Sequence, residues 1–205
     1  MNYENMMMNE NKIDTGPISQ DEWDLIKPHL SDIWKMFYQL LFETGIRVSE
    51  GLNLKFSDLV IESEDLQELE YKITFQRLKK RKKTYATLYI SKVLYFSIQK
   101  LSNSENPNSY IFSGQPQYIY NSPYSRITAW KILQKARRMG RIKRKLHPHS
   151  FRHGFGKRLA EMEGLTALDS LHLVKNLMGL SSLEYAGRYS KMSNQQALDY
   201  QKRLI

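Results

Sequence analysis

Apolar positions recur every three or four residues along most of the chain and every second residue in one stretch, which predicts a helical protein with a small sheet. Ser19 followed by Glu22 has capping-box spacing, so a helix is expected to start near Gln20. A second helix is expected over Asp32 to Thr44, with Ile33, Phe37, Leu40 and Leu41 as its apolar stripe and Gly45 as its end. Arg47 to Leu54 reads as one or two further helical turns with Val48 and Leu52 inward. Tyr71 to Phe75 and Thr84 to Ile90 alternate and are rich in aromatic and β-branched residues. They predict a hairpin with a short third strand near Leu59–Ile61.

Beyond the hairpin, helices are expected over Lys92 to Leu101 and Ser125 to Met139, separated by a loop-rich stretch with one apolar run at Tyr110–Phe112. Pro148 suits a first helical turn, and Phe151, Phe155, Leu159 and Met162 form a stripe that runs to Gly164. Leu168 to Met178 is helical up to Gly179, Ser182 caps a short helix to about Tyr189, and Asn194 to Arg203 forms a last one. The expected fold is mostly α, of α+β type, helical with a small three-stranded antiparallel sheet. Residues 1–17, rich in Asn and Met, read as a flexible tail, and residues 18–205 as one domain.

Composition narrows the chemistry. The 205 residues contain no cysteine, which excludes a disulfide scaffold, a thiol nucleophile and thiolate metal sites. No apolar run approaches the length of a membrane span, and the polar start lacks the order of a secretory signal, so the expected location is the cytoplasm.

Charge changes the picture more. The net charge is +10, but residues 1–70 carry 15 acids and five bases, whereas residues 71–205 carry six acids and 26 bases. Two clusters dominate the basic part. The first is Arg77, Lys79, Lys80, Arg81, Lys82 and Lys83 in the hairpin turn; the second is Lys135, Arg137, Arg138, Arg141, Lys143, Arg144 and Lys145. Charge runs are commonly plain solvated faces. These two lie inside patterned sequence, and clustered bases are the electrostatic footprint of a polyphosphate partner, so both are expected to bind nucleic acid.

His149, Arg152 and His153 sit at i, i+3 and i+4, on one face of a helix. Arg47 follows a helix-ending Gly and precedes Glu50 by three residues, so Glu50 can orient its guanidinium. Lys79 and Lys80 stand at a hairpin tip, and Tyr189 closes a capped helix beside Arg188. Guanidinium, imidazole and ammonium groups stabilise charge on the non-bridging oxygens of a phosphodiester without a metal. A tyrosine can then be the covalent nucleophile. Each group has a plainer reading. Arg47 with Glu50 could be a surface ion pair, Tyr189 is one of 13 tyrosines, and His147, His149 and His153 without acid or Cys support make a poor zinc site.

Taken in order, the segments Thr44-Gly45-Ile46-Arg47-Val48-Ser49-Glu50, a Lys hairpin, His147-Pro148-His149-Ser150-Phe151-Arg152-His153, and Leu177-Met178-Gly179 with Tyr189 ten residues after the Gly resemble the tyrosine recombinases of the phage-integrase family. The likeness covers about Ile18 to Lys191 and is strongest to the short fimbrial-switch type. It implies that Arg47 and Arg152 bind the scissile phosphate with help from His149. It also implies that Lys79 (or Lys80) protonates the leaving 5′-oxygen and that Tyr189 forms a 3′-phosphotyrosyl link. Glu50 and His153 match supporting positions. The resemblance implies double-stranded DNA as substrate, a homo-tetramer on paired sites, and no metal or other cofactor.

Two positions depart from that pattern. Leu180 stands where the family usually has His or Trp after the Gly, and Leu cannot donate a hydrogen bond to a phosphate. The 17 residues before the domain cannot form the helical DNA-clamping domain of typical integrases, so the chain is expected to be of the short fimbrial type, to be a fragment, or to need an accessory protein or a separate clamping partner to encircle DNA. The function expected is site-specific integration, excision or inversion. The alternative from another class is a regulator that keeps the fold and binds DNA with weak cleavage or none. A type IB topoisomerase would share the chemistry but act on any supercoiled DNA.

Overall fold

The computed structural model describes residues 16–65, 68–78, 83–101, 106–114 and 122–189, with the side chains of residues 63–65 and 68 left aside. The expected last helix over 194–203 lies outside these residues, as do Lys79, Lys80, Arg81 and Lys82. The chain divides into two compact units, one up to Gly154 and one from Phe155 onward.

The first unit opens with helix α1 (Gln20–Ile26). Its capping box forms as the spacing predicts: the Glu22 N–H donates to Ser19 Oγ at 3.1 Å, and the Ser19 N–H donates to Glu22 Oε2 at 3.0 Å. Helix α2 (Asp32–Thr44) has the expected bounds and stops at Gly45, whose φ of 58° is the left-handed conformation that glycine adopts without penalty. Its buried face is wider than the expected stripe. Trp34 and Tyr38 are buried beside Phe37, Leu40 and Leu41, whereas Ile33 is only half-buried, because aromatic rings fill the space toward neighbouring elements. Helix α3 (Val48–Leu52) follows at once.

Strands β1 (Leu59–Asp65), β2 (Glu68–Gln76) and β3 (Tyr85–Tyr89) form an antiparallel sheet in the order β1-β2-β3, with Ile73 opposite both Leu59 and Leu88. β1 and β2 are longer than expected; Val60 to Asp65 pairs with polar as well as apolar residues, so alternation understates its length. Helix α4 (Lys92–Gln99) is capped by Ser91, whose Oγ accepts from the Leu94 N–H at 3.2 Å. In the loop that follows, Ile111 and Phe112 are buried as their apolar run predicts. Helix α5 (Arg126–Met139), capped by Ser125, packs Ala129, Leu133 and Ala136 inward.

Helix α6 (Pro148–Ala160) begins in the first unit and continues into the second. Phe151 anchors its first turn. The ring is fully buried, 4.9 Å from the Tyr38 centroid and 5.7 Å from that of Trp23. Truncating such a ring costs about 3–5 kcal/mol, so this contact fixes the helix turn that carries Arg152. The Tyr38 hydroxyl donates to the Ala129 carbonyl at 2.6 Å and so ties α2 to α5.

The second unit holds the rest of α6, helix α7 (Ala167–Met178) and helix α8 (Leu183–Ala186). Leu159, Val174, Met178 and Ala186 form its buried centre, with Phe155, Leu171, Leu177 and Leu180 packed against them. Met162, expected in the core stripe, is 52% exposed because α6 has ended by then. Among the described residues, no helix is long and apolar enough to cross a membrane.

Candidate phosphate-binding and nucleophile sites

Arg47 is placed by the break between α2 and α3. It is the N-cap of α3, with extended backbone at φ −68° and ψ 144°. Its N–H donates to Glu50 Oε2 at 3.1 Å and its Nη1 donates to Glu50 Oε1 at 2.9 Å. The Glu50 side chain has no solvent exposure, whereas that of Arg47 keeps 17%. A charge-assisted pair with one shielded partner is shorter and stronger than an exposed one. The pair is therefore a fixed mount for a guanidinium that still reaches solvent.

Arg152 arrives from α6. It is 6% exposed, and its Nη1 donates to the Gly45 carbonyl oxygen at 2.7 Å. That carbonyl lies two residues before Arg47, so one turn of backbone organises both guanidiniums. Gly45 matters for this turn as well as for ending α2. Ser150 secures the start of α6: its Oγ accepts from the His147 N–H at 3.2 Å, and its carbonyl accepts from the Ile18 N–H at 3.0 Å. His149 is exposed, and its ring stacks on that of His147 with centroids 5.6 Å apart. His153 is half-buried one turn further along the helix. Arg47, Glu50, His149, Arg152 and His153 all belong to the first unit.

The two basic clusters separate into surface and structural residues. Arg77, expected to face DNA, is instead 6% exposed. Its Nη1 lies 4.0 Å from Glu50 Oε2, and the next residue, Leu78, donates its N–H to Glu50 Oε1 at 3.3 Å. Burial pushes the Arg77 guanidinium below its usual pKa; the Glu50 charge opposes that push and the Arg47 charge reinforces it. Arg137 turns onto the Ile142 carbonyl at 2.7 Å and the Arg144 carbonyl at 3.2 Å. Arg144 in turn holds the Pro17 carbonyl at 2.8 Å and pairs with Glu22, whose carboxyl it keeps below the usual range. Of these three, Arg77 is buried, whereas Arg137 and Arg144 stay partly exposed while holding internal partners. Lys83, Lys135, Arg138, Arg141, Lys143 and Lys145 remain exposed. A cleft of about 600 Å³ lined by Trp130, Lys131, Lys135, Arg138, Lys145 and His147 leads along α5 to the start of α6.

In the second unit, Tyr189 stands in the turn just after α8, which ends at Ala186, earlier than expected. The Tyr189 N–H donates to the Ala186 carbonyl at 2.9 Å. The ring is half-buried against the apolar centre of the unit. A Cβ on Gly156 would lie 2.7 Å from Tyr189 Cδ1 and 2.9 Å from Met178 Sδ, so the bare backbone of α6 is what the ring rests on. Leu180 packs its side chain into the same apolar cluster and donates its N–H to the Lys175 carbonyl at 2.9 Å. Among the described residues, no group of three or more His, Asp or Glu side chains is placed to hold a metal ion.

Sequence reasoning overlooked three features: the Gly45 carbonyl as the anchor of Arg152, the inward turn of Arg77, and Gly156 beneath Tyr189. For Arg77 a signal was present. Tyr71, Ile73 and Phe75 share one register of β2, Arg77 just past its end keeps the same spacing, and all four are buried.

The family described as "Phage integrase family" matches residues 18–196 of this chain. A tyrosine recombinase of Pseudothermotoga lettingae is 29% identical over 170 residues, which cover 83% of this chain and 53% of that protein. The chain thus spans about half the length of the curated relatives it matches. Among solved structures, the XerH site-specific recombinase bound to difH substrate in a pre-cleavage complex superposes with a TM-score of 0.68 at 18% identity, over 90% of this chain and 52% of that one. A lambda integrase tetramer bound to a Holliday junction gives a TM-score of 0.61 at 15% identity, over 86% and 48%. At these identities the superpositions speak for the fold.

Proposed function

We propose, from the premise that this chain belongs to the phage integrase family, that it cuts and rejoins double-stranded DNA at specific sites through a covalent tyrosine intermediate. The observation that carries the reading is the joint mounting of Arg47 and Arg152 on one backbone turn, Arg47 by Glu50 and Arg152 by the Gly45 carbonyl. Two fixed cations suit the two non-bridging oxygens of a phosphodiester. Preorganised charge of this kind is commonly the largest contribution to such a reaction.

In this reading, Tyr189 Oη gives up its proton to solvent and bonds to phosphorus as the bond from phosphorus to O5′ breaks. Lys79, or Lys80, supplies the proton that O5′ takes up. Arg47 and Arg152 balance the charge that grows on the non-bridging oxygens, and His149 adds a hydrogen bond to one of them, with His153 supporting the histidine and arginines. Glu50 keeps Arg47 in place. Rejoining is the reverse step, with a 5′-hydroxyl of a partner strand attacking the phosphotyrosine. The bond energy is kept in that link, so no nucleotide is consumed. The exposed bases along α5 and the 140–145 segment contact DNA phosphates. The protein works in the cytoplasm as a homo-tetramer on paired sites, a reading supported by the assembly named in the lambda integrase structure.

Leu180 supports a slower enzyme. One missing donor to the phosphate costs about two to three orders of magnitude in rate, which leaves the chemistry intact.

The test is a covalent trap. Wild type and Tyr189→Phe are expressed with a tag, lysed in SDS and purified under denaturing conditions, and attached DNA is sequenced. The reading expects DNA from a discrete locus with wild type alone. No covalent DNA from either protein, together with a discrete native footprint, would favour the non-cutting regulator.

A further inference from the structure

We propose that Arg77 is a positioning residue that answers the buried charge of Glu50 and so leaves Arg47 its full positive charge for a phosphate. The inference rests on the reading above that Arg47 binds the scissile phosphate.

A buried arginine at the end of a strand needs a partner, because a buried cation is costly unless paired. Arg77 follows Tyr71, Ile73 and Phe75 along the buried face of β2 and lies 5.2 Å from the Phe75 ring centroid. Its N–H donates to the Thr84 carbonyl at 2.8 Å, which fixes the backbone where the hairpin closes. From there its Nη1 stands 4.0 Å from Glu50 Oε2, while the Leu78 N–H donates to Glu50 Oε1. On its other side the same carboxylate takes the Arg47 N–H and Nη1. One carboxylate with no exposure therefore stands between two guanidiniums, and Arg47 is the more exposed of the two.

The charge count explains the arrangement. Arg47 with Glu50 alone is a closed neutral pair, and a phosphate would have to compete with Glu50 for the guanidinium. With Arg77 included, the group carries +1, and Arg47 is the part that reaches solvent. In surroundings of reduced dielectric, a charge a few ångströms away is felt strongly.

The first arm of the test uses inorganic phosphate as the probe. The full chain is titrated while the Arg47 side-chain Nε–H resonance is followed by NMR. Arg77→Met is expected to weaken phosphate binding about tenfold, and Arg77→Lys by less than about threefold. In a Glu50→Gln background, Arg77→Met should have no effect, the sign of direct coupling. That comparison, with both buried charges removed together, also serves if Arg77→Met alone does not fold. A double variant that binds phosphate more weakly than Glu50→Gln overturns the proposal.

The second arm uses nicked duplexes built on the trapped locus, with a phosphodiester or a neutral methylphosphonate at the scissile position. Arg77→Met should slow cleavage of the phosphodiester about tenfold and of the methylphosphonate by less than about threefold, because the neutral group offers Arg47 no charge to balance. A merely structural Arg77 would slow both alike and leave phosphate binding unchanged, which overturns the proposal. If wild type cleaves neither duplex while the phosphate arm behaves as expected, the recombinase reading fails and the role of Arg77 stands.

Discussion

Arg47 is held by two hydrogen bonds to a carboxylate that solvent does not reach, whereas Tyr189 rests its ring on the bare backbone of Gly156 and the sulfur of Met178. The first arrangement depends on charge and the second on shape. Hydrogen bonds between ions fix direction, which a group binding a tetrahedral phosphate needs. The ring's seat depends on fit, because a Cβ on Gly156 would meet the ring at 2.7 Å. Among the described residues, Leu159, Val174, Met178 and Ala186 are the buried centre of the second unit. In the proposed reaction, guanidiniums mounted by charge bind the phosphate and a tyrosine seated by shape attacks it.

The comparison breaks most sharply at Tyr189. Tyr189→Phe should abolish the covalent DNA complex and leave the melting temperature and native DNA binding near wild type, as read by SDS gels and a native footprint. Glu50→Ala should come next. It leaves the buried Arg77 guanidinium and the half-buried Arg47 guanidinium without their carboxylate, and breaking a buried pair on one side costs about 3–5 kcal/mol, measurable by urea unfolding. Gly156→Ala should destabilise by about 1–3 kcal/mol through overpacking and slow cleavage by displacing the ring, while phosphate binding to the first unit stays at wild type. A Gly156→Ala variant with unchanged cleavage would show that Tyr189 does not depend on this seat.

Leu180→His should raise the cleavage rate, about tenfold or more, by restoring a donor to the phosphate; single-turnover kinetics on a nicked duplex would show it. The smallest effect concerns the Arg144–Glu22 pair. Arg144 holds the Glu22 carboxyl below its ordinary value of 4.5, so its contribution is complete above that value and is lost as the pH falls through the lowered one. A partly exposed pair contributes less than about 1 kcal/mol. Glu22→Gln should therefore flatten a shallow acid-side loss of stability in thermal melts.

Local chemistry made much of this legible in the sequence. The Ser19–Glu22 capping box, the bounds of α2 at Gly45 and the alternation of β2 with β3 each depend on near neighbours, and each forms as expected. The pairing of Arg47 with Glu50 was likewise readable, because three residues at a helix start bring the two together. The fates of Arg137 and Arg144 were not. Their partners are the Ile142 carbonyl and, over a hundred residues away in sequence, Glu22 and Pro17, so only the fold reveals that these bases stabilise structure. Arg77 lies between these cases. Its spacing in step with the buried face of β2 was readable, but its place in a run of bases hid it.

The most direct test of the account is the identity of the residue that carries DNA. The trapped complex is digested with nuclease and trypsin, and the adduct is located by mass spectrometry. Cleavage after Arg188 and Lys191 sets Tyr189 in its own short peptide, Tyr189-Ser190-Lys191, apart from the peptide that contains Tyr185. The account predicts a nucleotide joined through its 3′-phosphate to Tyr189 in that peptide. An adduct on Tyr185 or any other residue would contradict it.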